Sequence, residues 1–98
     1  MNSIIENLEL CKLQADVFRA LANPYRVWMV EKLSSGELCV CEFYNALELD
    51  YSTISRHLAV LKKAGIVDSR KSGKQVFYKL QAHCVLGFFG CLNDFIQK

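Results

Sequence analysis

Apolar residues recur at helical spacing over most of this chain, and the breaks in that rhythm fall at recognisable signals. Ser3 and Glu6 form a capping box, and Ile4, Leu8, Cys11, Ala15, Phe18 and Ala22 follow on one stripe, so a first helix is predicted to run to about Ala22. Asn23-Pro24 supplies an N-cap and a proline at the first helical position. Val27, Val30 and Leu33 then mark a short second helix, which Ser34-Ser35-Gly36 stops. Glu37-Leu38 leads into Val40, Phe43, Tyr44 and Leu47, a third helix with Cys39 at or just before its first turn. In a fourth helix Ile54, Leu58 and Leu61 share one face while Ser52, Arg56, Ala59 and Lys63 share the opposite one, and Gly65 is a natural stop.

The period then changes. Residues 66–71 and 75–80 are β-rich runs separated by a tip that contains Ser72-Gly73, flanked by Lys71 and Lys74, which predicts a basic hairpin. The chain closes on Val85, Phe88, Phe89, Leu92, Phe95 and Ile96, an apolar stripe wider than a small core covers from one side, and it predicts a helix that packs against a second copy. Gly87 and Gly90 weaken such a helix and equally let two backbones approach closely.

Composition narrows the class. At 98 residues, with no repeats and no long linker, one domain is expected over 1–98; 52% hydrophobic and 22% charged residues exclude a disordered chain. The longest apolar stretch, residues 85–92, is far short of the roughly 20 residues that a membrane helix needs. No membrane partner is expected. The first residues carry Glu6 and Glu9 and no basic segment, unlike a secretory signal, so a cytoplasmic location is expected. Five cysteines, an odd number, then read as free thiols or metal ligands rather than a disulfide framework.

Charge is uneven along the chain. Residues 1–50 hold four basic and eight acidic side chains, residues 51–80 seven basic and one acidic, and residues 81–98 one of each. A 30-residue stretch at +6 beside a half at −4 suits a polyanion-binding face, though a merely solvated basic surface has the same composition. Order adds to charge: two helices joined by a short turn, the second exposing Ser, Thr and Arg, then a basic hairpin, is the order of a winged helix-turn-helix. The expected fold class is mainly α with a small β-hairpin wing, α-α-α-α-β-β-α, with the helix-turn-helix at 38–64 and the wing at 66–80. The fourth helix is expected in the major groove of double-stranded DNA, with Tyr51, Ser52, Thr53, Ser55, Arg56 and His57 near bases and phosphates and Arg56 able to contact guanine bidentately. Arg70, Lys71 and Lys74 of the hairpin would grip the flanking backbone.

Four segments, residues 20–26 (Ala-Leu-Ala-Asn-Pro-Tyr-Arg), 37–42 (Glu-Leu-Cys-Val-Cys-Glu), 52–58 (Ser-Thr-Ile-Ser-Arg-His-Leu) and 73–78 (Gly-Lys-Gln-Val-Phe-Tyr), together resemble the ArsR/SmtB family of dimeric winged-helix repressors. The likeness covers roughly residues 15–80. It implies a homodimer built on the first and last helices (1–22 and 83–98) that binds operator DNA when free and releases it when an inducer binds.

The resemblance also makes Cys39 and Cys41 the first inducer ligands, since Glu-Leu-Cys-Val-Cys-Glu is similar to the arsenic, cadmium and lead sensor motif of that family. On a regular helix residues two apart point about 200° from each other, so one ion reaches both sulfurs only if the start of the third helix deforms. Such a deformation is expected to shift the fourth helix against which the third packs. Arsenic sensors with Cys-x-Cys-x-x-Cys carry a third thiol where this chain has Tyr44. As(III) or Sb(III) wants three thiolates and Cd(II) or Pb(II) three or four, so a further cysteine is needed from Cys11, Cys84 and Cys91. The resemblance, to relatives that sense through an N-terminal cysteine of the partner subunit, implies Cys11 ahead of Cys84 and Cys91. Cys84 and Cys91 are seven residues apart, on one face but about 10 Å from each other, and are read by preference as small core residues. Gln81, His83, Asp94 and Gln97 do not reproduce the zinc-sensor set of the last helix. His57 is expected to pack or to touch phosphate, Trp28 to be core, and the phenylalanines to be core or interface. A rival signal keeps the DNA binding and oxidises the thiol pair with peroxide or reactive sulfur. An enzyme is not expected, because no thioredoxin-like βαβ pattern or placed general base accompanies the thiols. A protein-binding winged helix without DNA contact is the remaining class.

Overall fold

The computed structural model describes the backbone of residues 2–97 and the side chains of residues 7–97, so the Ser3–Glu6 capping box and Ile4 lie outside the described side chains. Among the described residues five helices and three strands follow one another: α1 (Asn2–Leu21), α2 (Pro24–Lys32), β1 (Leu38–Cys39), α3 (Val40–Ala46), α4 (Tyr51–Lys63), β2 (Val67–Ser72), β3 (Gln75–Leu80) and α5 (Cys84–Ile96), with a 3₁₀ turn at Leu33–Ser35. The expected order is present with one addition. β1 joins the hairpin, giving an antiparallel sheet in the order β1-β3-β2. Two residues are too few to show alternation, so this strand exists only because β3 offers it a hydrogen-bonding edge.

Local chemistry explains the boundaries. Asn23 Oδ1 accepts from the backbone N–H groups of Tyr25 (2.9 Å) and Arg26 (3.3 Å), and Pro24 occupies the first helical position where no N–H is needed. α4 ends in a Schellman motif: Ile66 N–H donates to Leu61 O and Gly65 N–H to Lys62 O, both at 3.0 Å, with Gly65 at φ 80°. Leu61 and Ile66, which this motif brings together, are both buried. The hairpin turns at Gly73-Lys74, one residue later than the sequence suggested, with Gly73 at φ 62°.

The core lies where α2, α3, α4 and the base of the sheet meet. Met29, Val30, Phe43, Ile54, Leu58, Leu61, Ile66 and Val67 are almost wholly enclosed. The apolar face of α4 is therefore the predicted one, and Ser52, Arg56, Ala59 and Lys63 are all exposed. Trp28 is half-buried rather than fully core and packs edge-on against Phe43.

The long outer helices behave differently. Among the described side chains of α1 Ala20 and Leu21 are buried, whereas Leu8, Cys11 and Phe18 of the predicted stripe are exposed. On α5 Val85 and Phe89 face the core while Phe88, Phe95 and Ile96 face out. Cys84 and Cys91 are exposed as well, which corrects their reading as core residues: the chain's own core takes the Val85/Phe89 edge of α5, with Leu86 packed beside it. Phe18 and Phe88 approach to 5.9 Å, so the outward apolar surfaces of α1 and α5 adjoin. A Cβ added at Gly87 or Gly90 would meet nothing within 4 Å, so this side of α5 is open. No described helix is long and apolar enough to cross a membrane.

Leu58→Ala is expected to lower stability by about 2–5 kcal/mol in urea unfolding, because it opens a cavity at the centre of the core. Ser52→Ala, one turn and a half away on the solvent face, is expected to stay within about 0.5 kcal/mol of the wild type.

Candidate nucleic-acid interface and thiol site

α4 sits on the core by one face only, so its polar face is displayed as a unit. Tyr51 occupies its first turn, exposed and 6.1 Å from Tyr44 ring to ring. Ser52 and Arg56 are exposed, and Thr53 and Ser55 are half-buried. The last turn adds Lys62 and Lys63; Lys62 Nζ donates to Ser69 Oγ of β2 at 2.8 Å, tying the helix to the wing. Lys71 and Lys74 project from the wing tip, exposed, and neither enters a salt bridge among the described residues.

Arg70 is placed otherwise. Its Nε donates to both carboxylate oxygens of Glu37, at 3.0 and 3.1 Å, and its Nη2 donates to Oε1 at 2.8 Å. The guanidinium also lies 4.9 Å from the centre of the Phe77 ring. These hydrogen bonds hold the Glu37 carboxyl below its ordinary range, against some desolvation and with help from the charges of Arg70 and Lys79. Of the three hairpin cations expected to face DNA, one is thus already matched by a carboxylate.

His57 is likewise held from within the fold. It is half-buried, stacks on Tyr25 with ring centres 5.8 Å apart, and lies with Nδ1 3.2 Å from Arg26 Nη1. Guanidinium has no acceptor, so Nδ1 must accept and the proton of the neutral ring sits on Nε2. Burial lowers the His57 pKa, and the positive charges of Arg26 and Arg56 lower it further. Arg26 itself is a junction the sequence reading did not single out as a site. Its Nε donates to Ala20 O at 2.6 Å and its Nη2 to Arg19 O at 3.5 Å, binding the end of α1 to α2 and α4. The signal for it was only a basic residue three positions after the Asn23 cap.

The thiol pair stands at the junction of β1 and α3. Cys39 is the N-cap of α3, with extended backbone (φ −74°, ψ 150°). Cys41 N–H donates to Cys39 Sγ at 3.2 Å, and Cys39 N–H donates to Glu42 Oε2 at 2.7 Å, a reciprocal cap in which a thiol takes the usual place of a hydroxyl. Because Cys39 is not helical, the 200° separation of a regular helix does not apply. The two sulfurs meet, paired as a disulfide, with Cα atoms 5.2 Å apart. No fraying of the helix is needed to bring them together, which corrects the premise that both cysteines occupy regular helical positions. Cys39 is buried and Cys41 is exposed, so the pair is approached from the Cys41 side. Cys11, Cys84 and Cys91 are free and exposed. Among the described residues no three His, Cys, Asp or Glu side chains gather into one metal-holding group, so a third donor is not already in place beside the pair.

A family model described as bacterial regulatory protein, arsR family, matches residues 23–69. The chain is 49% identical over 65 residues to the arsenic resistance transcriptional regulator ArsR1 of Pseudomonas putida, covering 65% of this chain and 51% of that one. It is 30% identical over 94 residues to the transcriptional repressor SmtB homolog of Synechocystis, covering 96% of this chain and 71% of that one. Among solved structures, the homodimeric winged helix-turn-helix DNA-binding domain Mb0332 of Mycobacterium bovis superposes with a TM-score of 0.80 at 27% identity, covering 93% of this chain and 84% of that one. The chain spans about half to three-fifths of the length of the arsenic-resistance regulators it matches.

The lowered His57 pKa gives a pH dependence of defined sign. The unfolded chain takes up the proton near the ordinary value of 6.5, before the folded protein does. The stabilisation is therefore full above that value and is lost as pH falls from it through the lower folded pKa. Unfolding curves across mildly acidic pH should show this loss, and His57→Gln should flatten it.

Proposed function

Because this chain belongs to the ArsR family of bacterial regulatory proteins, we propose that it is a homodimeric transcriptional repressor that binds operator DNA and releases it when cysteine thiolates capture a thiophilic metalloid or metal, arsenite or antimonite first. The observation that carries the reading is the split face of α4: Ile54, Leu58 and Leu61 are wholly buried, and Ser52 and Arg56 stand in solvent beside a wing bearing Lys71 and Lys74. A helix so held presents its first turns to the major groove, where hydroxyls reach base edges or phosphates and Arg56 reaches guanine. Tyr51, Thr53, Ser55 and His57 frame that contact, and Arg70 reaches the backbone only to the extent that Glu37 lets it.

Dimerisation follows from what α1 and α5 leave uncovered. Leu8, Leu13, Phe18, Phe88, Phe95 and Ile96 are all more than two-fifths exposed, a surface that a second copy removes from water. Twofold symmetry then sets two α4 helices against two half-sites. A regulator of operator DNA works in the cytoplasm.

For the inducer, Cys39 and Cys41 supply two soft sulfurs at one point, which suits As(III), Sb(III), Cd(II) or Pb(II) better than a hard cation. The third thiolate is Cys11 from the second copy, with Cys84 and Cys91 behind it. The contact between the Cys39 and Cys41 sulfurs favours a second signal: two thiols lose two protons and two electrons to peroxide, which leaves as water, and the disulfide takes the place of the ion.

Operator release by arsenite in the presence of reductant is the expected result, measured by anisotropy of a labelled promoter fragment; release only by peroxide or persulfide selects the redox signal. Cys39→Ser and Cys41→Ser should abolish arsenite release and spare DNA binding, since serine is a competent N-cap at 39 and Cys41 is exposed. Arg56→Ala should weaken operator binding by about 1–3 kcal/mol, and unchanged affinity would favour a protein-binding module instead. Binding should also fall with salt at a log–log slope of about −0.9 per phosphate neutralised.

A further inference from the structure

The thiol pair reaches the wing through the sheet as well as through the helices. Cys39 pairs with Phe77 across β1 and β3, and Phe77 pairs on its other side with Arg70 of β2. Cys39, Phe77 and Arg70 thus form one row, and residues opposite one another in an antiparallel sheet project on the same face. Arg70 lies over the Phe77 ring and reaches to Glu37, two residues before Cys39. Its fork engages both carboxylate oxygens, so it fixes direction as well as charge. β1 is only two residues long, and its backbone ladder alone gives a weak hold on β3. The Glu37–Arg70 pair, 33 residues apart in sequence, is a second attachment between the strand that carries Cys39 and the outer strand of the wing.

We propose that Glu37 and Arg70 are positioning residues that couple the state of the Cys39–Cys41 thiols to the wing. When the thiols close around an ion shared with a third donor, Cys39 moves, Glu37, two residues before it, moves with it, and Arg70 draws β2 and the Lys71–Lys74 tip away from their place beside α4. Lys62, which donates to Ser69 next to Arg70, carries the same displacement to the last turn of α4. This coupling rests on the thiol-inducer reading above and assigns the path by which the signal leaves the thiols.

The test compares operator affinity with and without arsenite, under reductant and at fixed salt, for the wild type, Glu37→Gln, Arg70→Gln and the double variant. Each protein is its own reference, so the loss of an Arg70 charge cancels in the ratio. The wild type should lose affinity by a factor in the usual allosteric range of about 5–150, and each single variant should retain no more than about threefold. The double variant should be no worse than the singles, because all three break one link. Amide hydrogen exchange supplies a readout without DNA: arsenite should speed exchange at Arg70 and Phe77 in the wild type and leave it unchanged in Glu37→Gln. A wild type that releases DNA while Glu37→Gln releases it by the same factor overturns the coupling alone. A wild type indifferent to arsenite overturns the thiol-inducer reading and the coupling with it.

Discussion

A 13-residue amphipathic helix in water must cover its apolar stripe, and the way α4 does so orders the rest of the molecule. Ile54, Leu58 and Leu61 lie flush against Met29, Val30, Phe43, Ile66 and Val67, contributed by α2, α3 and the start of the wing. Rotation of α4 about its axis would bring Arg56 or Lys63 into this core, where an unmatched charge is costly. Burial therefore fixes which side chains face outward. The Schellman turn at Gly65 then sends the chain straight into β2, so the wing starts from a defined point beside the same helix.

The thiol site draws on a second constraint, the need of a helix start for a capping acceptor. Placing a cysteine at the N-cap of α3 makes one sulfur an acceptor for the backbone of the other cysteine. The extended backbone that a cap requires is also what turns Cys39 Sγ towards Cys41. The same sulfur thus serves two purposes: Cys39 Sγ both pairs with Cys41 and caps the helix. Since Cys39 also belongs to β1, it joins the sheet to the helix.

Around this centre the molecule is unevenly covered. The core is dense where α2, α3 and α4 meet, while α1 and much of α5 display leucines and phenylalanines to solvent. Apolar surface of that kind marks an interaction site, and a chain with both apolar helices on adjoining surfaces is suited to pairing with its like. The exposed cysteines Cys11, Cys84 and Cys91 all lie on these two helices, so their surroundings are set by whatever covers α1 and α5.

Much of this was written in the local sequence. The faces of α4, the Asn23-Pro24 start of α2, the Gly65 stop and the hairpin follow from periodicity and from the few residues whose backbone preferences punctuate it. These are short-range effects: each depends on neighbours within a turn or two. What the sequence left undecided involves partners far along the chain. The Cys39 sulfur turns towards Cys41 because Leu38 and Cys39 pair with Tyr78 and Phe77, some 40 residues away, and are extended rather than helical. Arg70 is matched by Glu37, and His57 by Arg26 and Tyr25, through approaches that no spacing rule encodes. Periodicity tells which side of an element seeks the core; only the packed fold decides which remote group a polar side chain meets, because that distance is set by how whole elements dock.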